Sequence, residues 1–226
     1  MLFRSGKIIL FDSVKGGVGK STLLTQFVCA MAKTKKIAAM DCDPQGSIEN
    51  WAVRRFNNFQ SLDFDMLEAD LSFLTENKRE YDYIFVDSAG ADTEIGRELL
   101  SMADIVISPL QPTTAALDTI PIHSKIVNEA IEFNPNLELF YLLNECSTHS
   151  KDQEANDTYS SLCQFIESTY EKRFHVIPNF VFDRKVLKTS YSAGLSCFDG
   201  RKNKSKDEIE SVISFIFDEI EFSEVN

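Results

Sequence analysis

The run Ser13-Val14-Lys15-Gly16-Gly17-Val18-Gly19-Lys20-Ser21-Thr22 has the residue types and spacing to hold a polyphosphate. It follows an apolar stretch, Ile8-Ile9-Leu10-Phe11, and opens a helix-patterned one, which is the strand–loop–helix setting such a cradle requires. Gly16, Gly17 and Gly19 let main-chain N–H groups, that of Val18 among them, turn inward and close on phosphate oxygens, where a Cβ would obstruct. The helix N-terminus adds partial positive charge. Lys20 brings a full charge to the outer phosphates, Ser21 sets a hydroxyl where Mg²⁺ would sit, and Thr22 is the next side chain along, toward the inner phosphate.

Three carboxylates have matching placements. Asp41 and Asp43, in Met40-Asp41-Cys42-Asp43-Pro44-Gln45-Gly46, end a second strand pattern, and a period of two puts them on one side. An alternative role for Asp43 is an N-cap ahead of Pro44. Asp87 closes the apolar strand pattern Tyr83-Ile84-Phe85-Val86, as in a Walker B segment, and would act on Mg²⁺ through water. Three residues later Gly90 offers a backbone N–H that can sense the terminal phosphate. Asn144, at the end of Phe140-Tyr141-Leu142-Leu143, is a further candidate, with an ordinary turn residue as its alternative.

The elements that position these residues alternate between short β-rich apolar runs and longer helix-patterned stretches. Strands are expected at 8–11, 37–40, 83–86, 105–108, 137–143 and 175–177, with a weaker one at 62–67. Helices are expected at 20–32, 47–57, 93–102, 119–133, 152–172, 186–193 and 207–220, the fourth capped by Asp118 with Pro121 in its first turn. This is an α/β pattern: a mostly parallel, doubly wound sheet flanked by helices, with ligands at the carboxyl ends of the strands.

A chain of 226 residues, 43% of them hydrophobic, suffices for a single domain spanning 1–226. Its five cysteines are scattered without a C-x-x-C pair, which argues against a disulfide framework or zinc site and for a reducing cytosol. Residues 1–7 run into a strand pattern without the features of a signal peptide, and no stretch is long enough to span a membrane, so a cytoplasmic protein is expected. His123, His149 and His175 lack metal-ligand spacing and read as surface or packing residues. The net charge is −12, yet segment 184–206 carries seven bases against the single acid Asp199. That segment is either a solvated charged face or a site for an anionic partner.

The usual phosphate loop, G-x-x-x-x-G-K-[ST], has glycine where this chain has Val14, and Lys15 follows. With Asp41-Cys42-Asp43-Pro44-Gln45 and the Asp87 strand, the sequence resembles the ParA/MinD family of deviant Walker A ATPases. The resemblance implies a P-loop ATPase that uses ATP and Mg²⁺. Lys15 would reach the partner subunit's phosphates in an ATP-dependent homodimer, Asp43 would orient the attacking water, and Asp41 would hold the loop and its lysine. Asn144 would read the purine, with Pro178 and Asn179 on the base side. Ser108-Pro109-Leu110-Gln111-Pro112-Thr113 and the region from Asp183 to Asp199 resemble small plasmid-partition ATPases of the ParF type, which lack an extra N-terminal DNA-binding domain; this chain has no room for one.

In that subgroup the ATP dimer binds non-specific DNA through C-terminal bases, for which Arg184, Lys185, Lys188, Arg201, Lys202 and Lys204 are the candidates, and a separate adaptor protein stimulates turnover. A cytoplasmic, nucleoid-associated protein follows. The nearest alternative is a DNA-transfer or polar-positioning ATPase of the VirC1 type. A MinD-like membrane role is disfavoured by the acids along the apolar C-terminal helix, which reads as core-packing. Iron–sulfur relatives would need placed cysteine ligands, and a metabolic ligase such as dethiobiotin synthetase would need a second substrate pocket.

Overall fold

The computed structural model describes residues 6–90, 92–170 and 173–225. The expectations for residues 1–5 and for a helix reaching Lys172 fall outside them. Seven strands form one sheet: β1 (Lys7–Phe11), β2 (Ile37–Cys42), β3 (Asp65–Leu67), β4 (Tyr83–Ser88), β5 (Ile105–Leu110), β6 (Glu138–Leu143) and β7 (Phe174–Val176). Their order is β3-β2-β4-β1-β5-β6-β7, and every neighbouring pair is parallel, where a mostly parallel sheet was expected.

Alternation along each strand feeds two cores. Ile9 and Phe11 face one layer, built from α1 (Lys20–Met31), α2 (Ser47–Phe59), α8 (Lys185–Ser192) and α9 (Lys204–Val225). Ile8 and Leu10 face the other, built from α3 (Leu71–Asn77), α4 (Glu94–Met102), α5 (Thr114–Leu117), α6 (Ile120–Ile131) and α7 (Glu154–Thr169). Both faces being covered is what turns the strands into continuous apolar runs. The register sets Asp87 beside Phe11 on one side and beside Asp41 on the other, so three chemistry-bearing strand ends meet at one edge. The loop from β1 to α1 leaves from that edge.

Several expected boundaries are corrected. The helices α3 and α5 and a 3₁₀ turn at Lys78–Glu80 were not expected; they are too short to show a hydrophobic period. Because α5 occupies 114–117, Asp118 terminates that helix instead of capping the next; Thr119 precedes α6 without a side-chain cap, and Pro121 does lie in its first turn. The helix expected at 152–172 ends at Thr169, where Tyr170 turns extended. The last helix starts earlier and runs longer than 207–220, and it is a core helix: Ile209, Val212, Ile216 and Ile220 are all buried.

Candidate nucleotide site

The loop after β1 turns on glycines. Gly17 and Gly19 hold φ of 75° and 90°, values that L side chains avoid, and Gly19 opens α1 with no side chain capping it. A Cβ on Gly16 or Gly17 would meet nothing within 4 Å. Packing therefore does not demand glycine at those two positions, and the loop is open at both. A Cβ on Gly19, by contrast, would strike the Asn144 amide. That amide donates to Val18 O at 2.8 Å, so Asn144 buttresses the loop.

Lys20 is buried, and its Nζ has one long hydrogen bond among the described residues, 3.5 Å to Ser13 Oγ. The Ser13 hydroxyl in turn donates to Lys15 O at 2.9 Å, which fixes the turn that carries the second lysine. Gly90 lies against this loop: a Cβ there would stand 3.0 Å from Lys20 Nζ and 3.2 Å from Gly16 Cα.

Asp87 is fully buried, and Ser21 Oγ donates to its Oδ2 while its Oδ1 has no partner among the described residues. Burial pushes the carboxyl up to about 7, Asp41 and Asp43 push the same way, and the Ser21 hydrogen bond and Lys20 charge oppose them. A buried carboxylate with an idle oxygen beside a serine hydroxyl fits a hard dication, so Ser21 and Asp87 fit magnesium by the chemistry of the donor set.

Asp41 takes the capping role considered for Asp43. Its Oδ2 accepts from Ile48 N at 2.7 Å and Glu49 N at 3.1 Å, and its Oδ1 from Asp43 N at 3.1 Å, so a strand-end carboxylate holds the first turn of α2. No bond from Asp41 to Lys20 occurs among the described residues. Among the described residues Asp43 accepts only from Gln45 N, at 2.9 Å, in a local turn and is half-buried, leaving its second oxygen to the site.

Three residues that sequence reasoning passed over, Asp12, Ser88 and Tyr141, lie beneath the loop with His123. Asp12, directly after β1, accepts from the Ser88 hydroxyl at Oδ1 and faces His123 Nε2 at 3.2 Å from Oδ2; His123 Nδ1 lies 3.0 Å from the Tyr141 hydroxyl. Burial pushes the Asp12 carboxyl up, but the hydrogen bond and charge of His123, the Ser88 hydroxyl and the charge of Lys20 outweigh it and hold the group below the ordinary range. Of the two readings given to His123, surface or packing, it is the buried one, held by hydrogen bonds; His175 likewise pairs with Glu138 at 2.8 Å. The only local signal was an acid placed straight after an apolar strand.

Pro178 and Asn179, expected on the base side, line an open groove of about 450 Å³ with Phe180, Phe182 and with Lys204 and Glu208 of α9. The candidate DNA-contact bases fall into two sets. Arg184 is spent on Glu208 at 2.6 Å and lies over the Phe182 ring; Lys188 pairs with Asp183 at 2.8 Å, and Lys202 stands 3.7 Å from Asp207. Lys185, Arg201 and Lys204 are exposed and make no ion pair among the described residues. Asp199, the one acid of the segment, is neutralised from α2 by a bidentate bond to Arg55, at 2.8 and 3.1 Å. The segment is further clamped to α2 by Tyr191 Oη to Ser47 O, Trp51 Nε1 to Leu195 O and Asn58 Nδ2 to Ala193 O.

The fold and the loop define a P-loop nucleotide-binding domain, and the comparisons with known proteins agree. Residues 9–193 match the CobQ/CobB/MinD/ParA nucleotide binding domain, and the chain belongs to that family. Among curated relatives, the Maintenance of carboxysome distribution protein A of Halothiobacillus neapolitanus is 22% identical over 89% of this chain and 92% of its own. Protein virC1 of Rhizobium radiobacter is 28% identical over 50% of this chain and 52% of its own. Among solved structures, a plasmid partition protein from Borrelia burgdorferi has a TM-score of 0.65 at 18% identity, covering 95% of this chain and 99% of that one. The pNOB8 ParA bound to nonspecific DNA also has a TM-score of 0.65, at 16% identity, covering 94% and 99%. No helix among the described residues is long and apolar enough to cross a membrane.

Proposed function

We propose that this chain is a magnesium-dependent ATPase of the ParA type whose ATP-bound homodimer binds DNA without sequence preference and drives plasmid partition with an adaptor protein. The observation that carries the reading is the meeting of Lys20, Ser21 and the half-partnered Asp87 at the mouth of an open glycine loop. Phosphate oxygens would be held by loop amides and the α1 N-terminus, with Lys20 on the outer phosphates. Magnesium, held by Ser21 and by Asp87 through water, would neutralise phosphate charge. Asp43, with an oxygen to spare, would orient the water; the proton stays shared with that carboxylate until phosphate leaves. Lys15 would add its charge across the dimer, so that the contact exists only while two chains face each other round ATP. Turnover is slow until a partner supplies a further cation.

The likeness to the DNA-bound ParA and the three unpaired cations Lys185, Arg201 and Lys204 support the DNA reading. If each meets one phosphate, a dimer releases about six counterions, giving a slope of log affinity against log salt of about −5. The test is binding to random duplex with ATP, ADP or no nucleotide across a salt series. Tight binding with ATP alone, at that slope, is expected; equal binding in all three states refutes it. The relatives named for carboxysome distribution and virC1 support a second reading, in which the same switch positions another cargo or serves DNA transfer. A small DNA-binding partner and centromere-like repeats beside the gene favour partition, and relaxase or secretion genes favour transfer.

A further inference from the structure

Asp12, His123, Tyr141 and Ser88 come from the end of β1, α6, β6 and β4, Asp12 directly after its strand, and they join in one buried chain under the phosphate loop. Replacing such a polar cluster with apolar side chains of similar volume often leaves stability unchanged or better, so packing alone gives no reason to keep it. Its place is at the carboxyl ends of the strands, where ligands bind in such sheets. The couple also stands between the phosphate loop and the segment after Gly90. One cavity of about 10 Å³, room for about one water, separates His123 from Asp92, Thr93 and Arg97, just beyond Gly90. A second of the same size separates it from Lys15 and Val18 of the loop.

We propose that the Asp12–His123 couple is a positioning device for phosphoryl transfer, resting on the ATPase reading: His123 aims the Asp12 carboxylate, and Asp12 holds Ser88. With a carboxylate opposite it, Nε2 donates to Asp12, while Nδ1 pairs with the Tyr141 hydroxyl, whose phenol burial keeps protonated. Asp12 Oδ1 then fixes the Ser88 hydroxyl, and through Ser88 the backbone between Asp87 and Gly90. On its other side Asp12 is joined to Ser13, which touches Lys20. One carboxylate thereby sets the metal-facing aspartate and the γ-phosphate-sensing glycine relative to one another. Nucleotide is gripped by the loop itself, so losing the couple slows the chemical step and spares binding.

The experiment is steady-state Mg·ATP hydrolysis by the full chain and its variants, with ATP affinity by calorimetry. His123→Ala should lower kcat by about 10- to 100-fold, with KM and ATP affinity within about 3-fold of wild type. His123→Gln, whose amide restores a donor toward Asp12, should recover kcat to within about 3-fold. Ser88→Ala, which removes a single oxygen and keeps the core filled, should lower kcat in the same selective way and reads the couple even if His123→Ala fails to fold. Unchanged kcat in Ser88→Ala, equal impairment of His123→Gln and His123→Ala, or KM rising in step with the fall in kcat overturns the proposal. A wild-type chain that neither binds nor hydrolyses ATP overturns the ATPase reading and this inference with it; active wild type with unaffected variants overturns the inference alone.

Discussion

Asp87→Asn is expected to stabilise the nucleotide-free chain at neutral pH while weakening its magnesium-dependent hold on ATP. The Asp87 carboxyl is fully buried, keeps one oxygen unpartnered, and is pushed by burial from 3.8 to about 7. In the unfolded chain it ionises near the ordinary value, so between about pH 4 and pH 7 the folded chain holds a proton that the unfolded chain has lost. Folding takes up a proton across that window; stability is greatest at its acid end and falls as pH rises toward the folded value. A shift of about three units costs about 4 kcal/mol at and above pH 7. Asparagine has the same size, still accepts from Ser21 and cannot ionise, so it removes that cost. For a chain of this length the gain corresponds to a rise in Tm of about 10 °C at pH 8. The assay is thermal and urea unfolding of both proteins from pH 5 to pH 8 without nucleotide or metal. The gain should shrink toward pH 5, and a variant no more stable at pH 8, or stabilised equally at both ends, would refute the reasoning.

Gly90→Ala would set a methyl 3.0 Å from Lys20 Nζ and 3.2 Å from Gly16 Cα; ATP affinity by calorimetry should fall about 10-fold, with little change in the Tm of the free chain. Arg55→Ala leaves Asp199 without its bidentate partner and should cost about 3–5 kcal/mol in chemical denaturation. Adding Asp199→Ala should return part of that loss, since the two side chains are in direct contact. Lys15→Gln should retain ATP binding and lose the ATP-dependent dimer, and light scattering that still finds a dimer with ATP would count against the role given to Lys15.

The parts of the site that the sequence made legible are contiguous or obey a short period. The loop from Ser13 to Thr22 is a single run, and Asp41 and Asp87 end apolar strands whose type follows from their composition. The parallel pattern implied that those ends share one edge of the sheet; that they lie side by side follows only from the strand order. The chain of Asp12, His123, Tyr141 and Ser88 was illegible because its members belong to four separate segments, with Asp12 and His123 111 positions apart and no spacing that marks them. The Arg55–Asp199 pair spans 144 residues in the same way. Likewise, the charges of Arg184 and Lys188 are visible in sequence, but their engagement by Glu208 and Asp183 appears only once α8 and α9 are in place. The short helices α3 and α5 carry fewer than two turns' worth of pattern, and α5 redirected Asp118 from one helix to another.

The central claim is that the open glycine loop and Lys20 grip a nucleotide triphosphate. Calorimetric titration of Mg·ATP into the folded chain measures it directly. One site per chain, lost in Lys20→Ala, is the predicted result; no binding by folded wild type, or undiminished binding by Lys20→Ala, would contradict it.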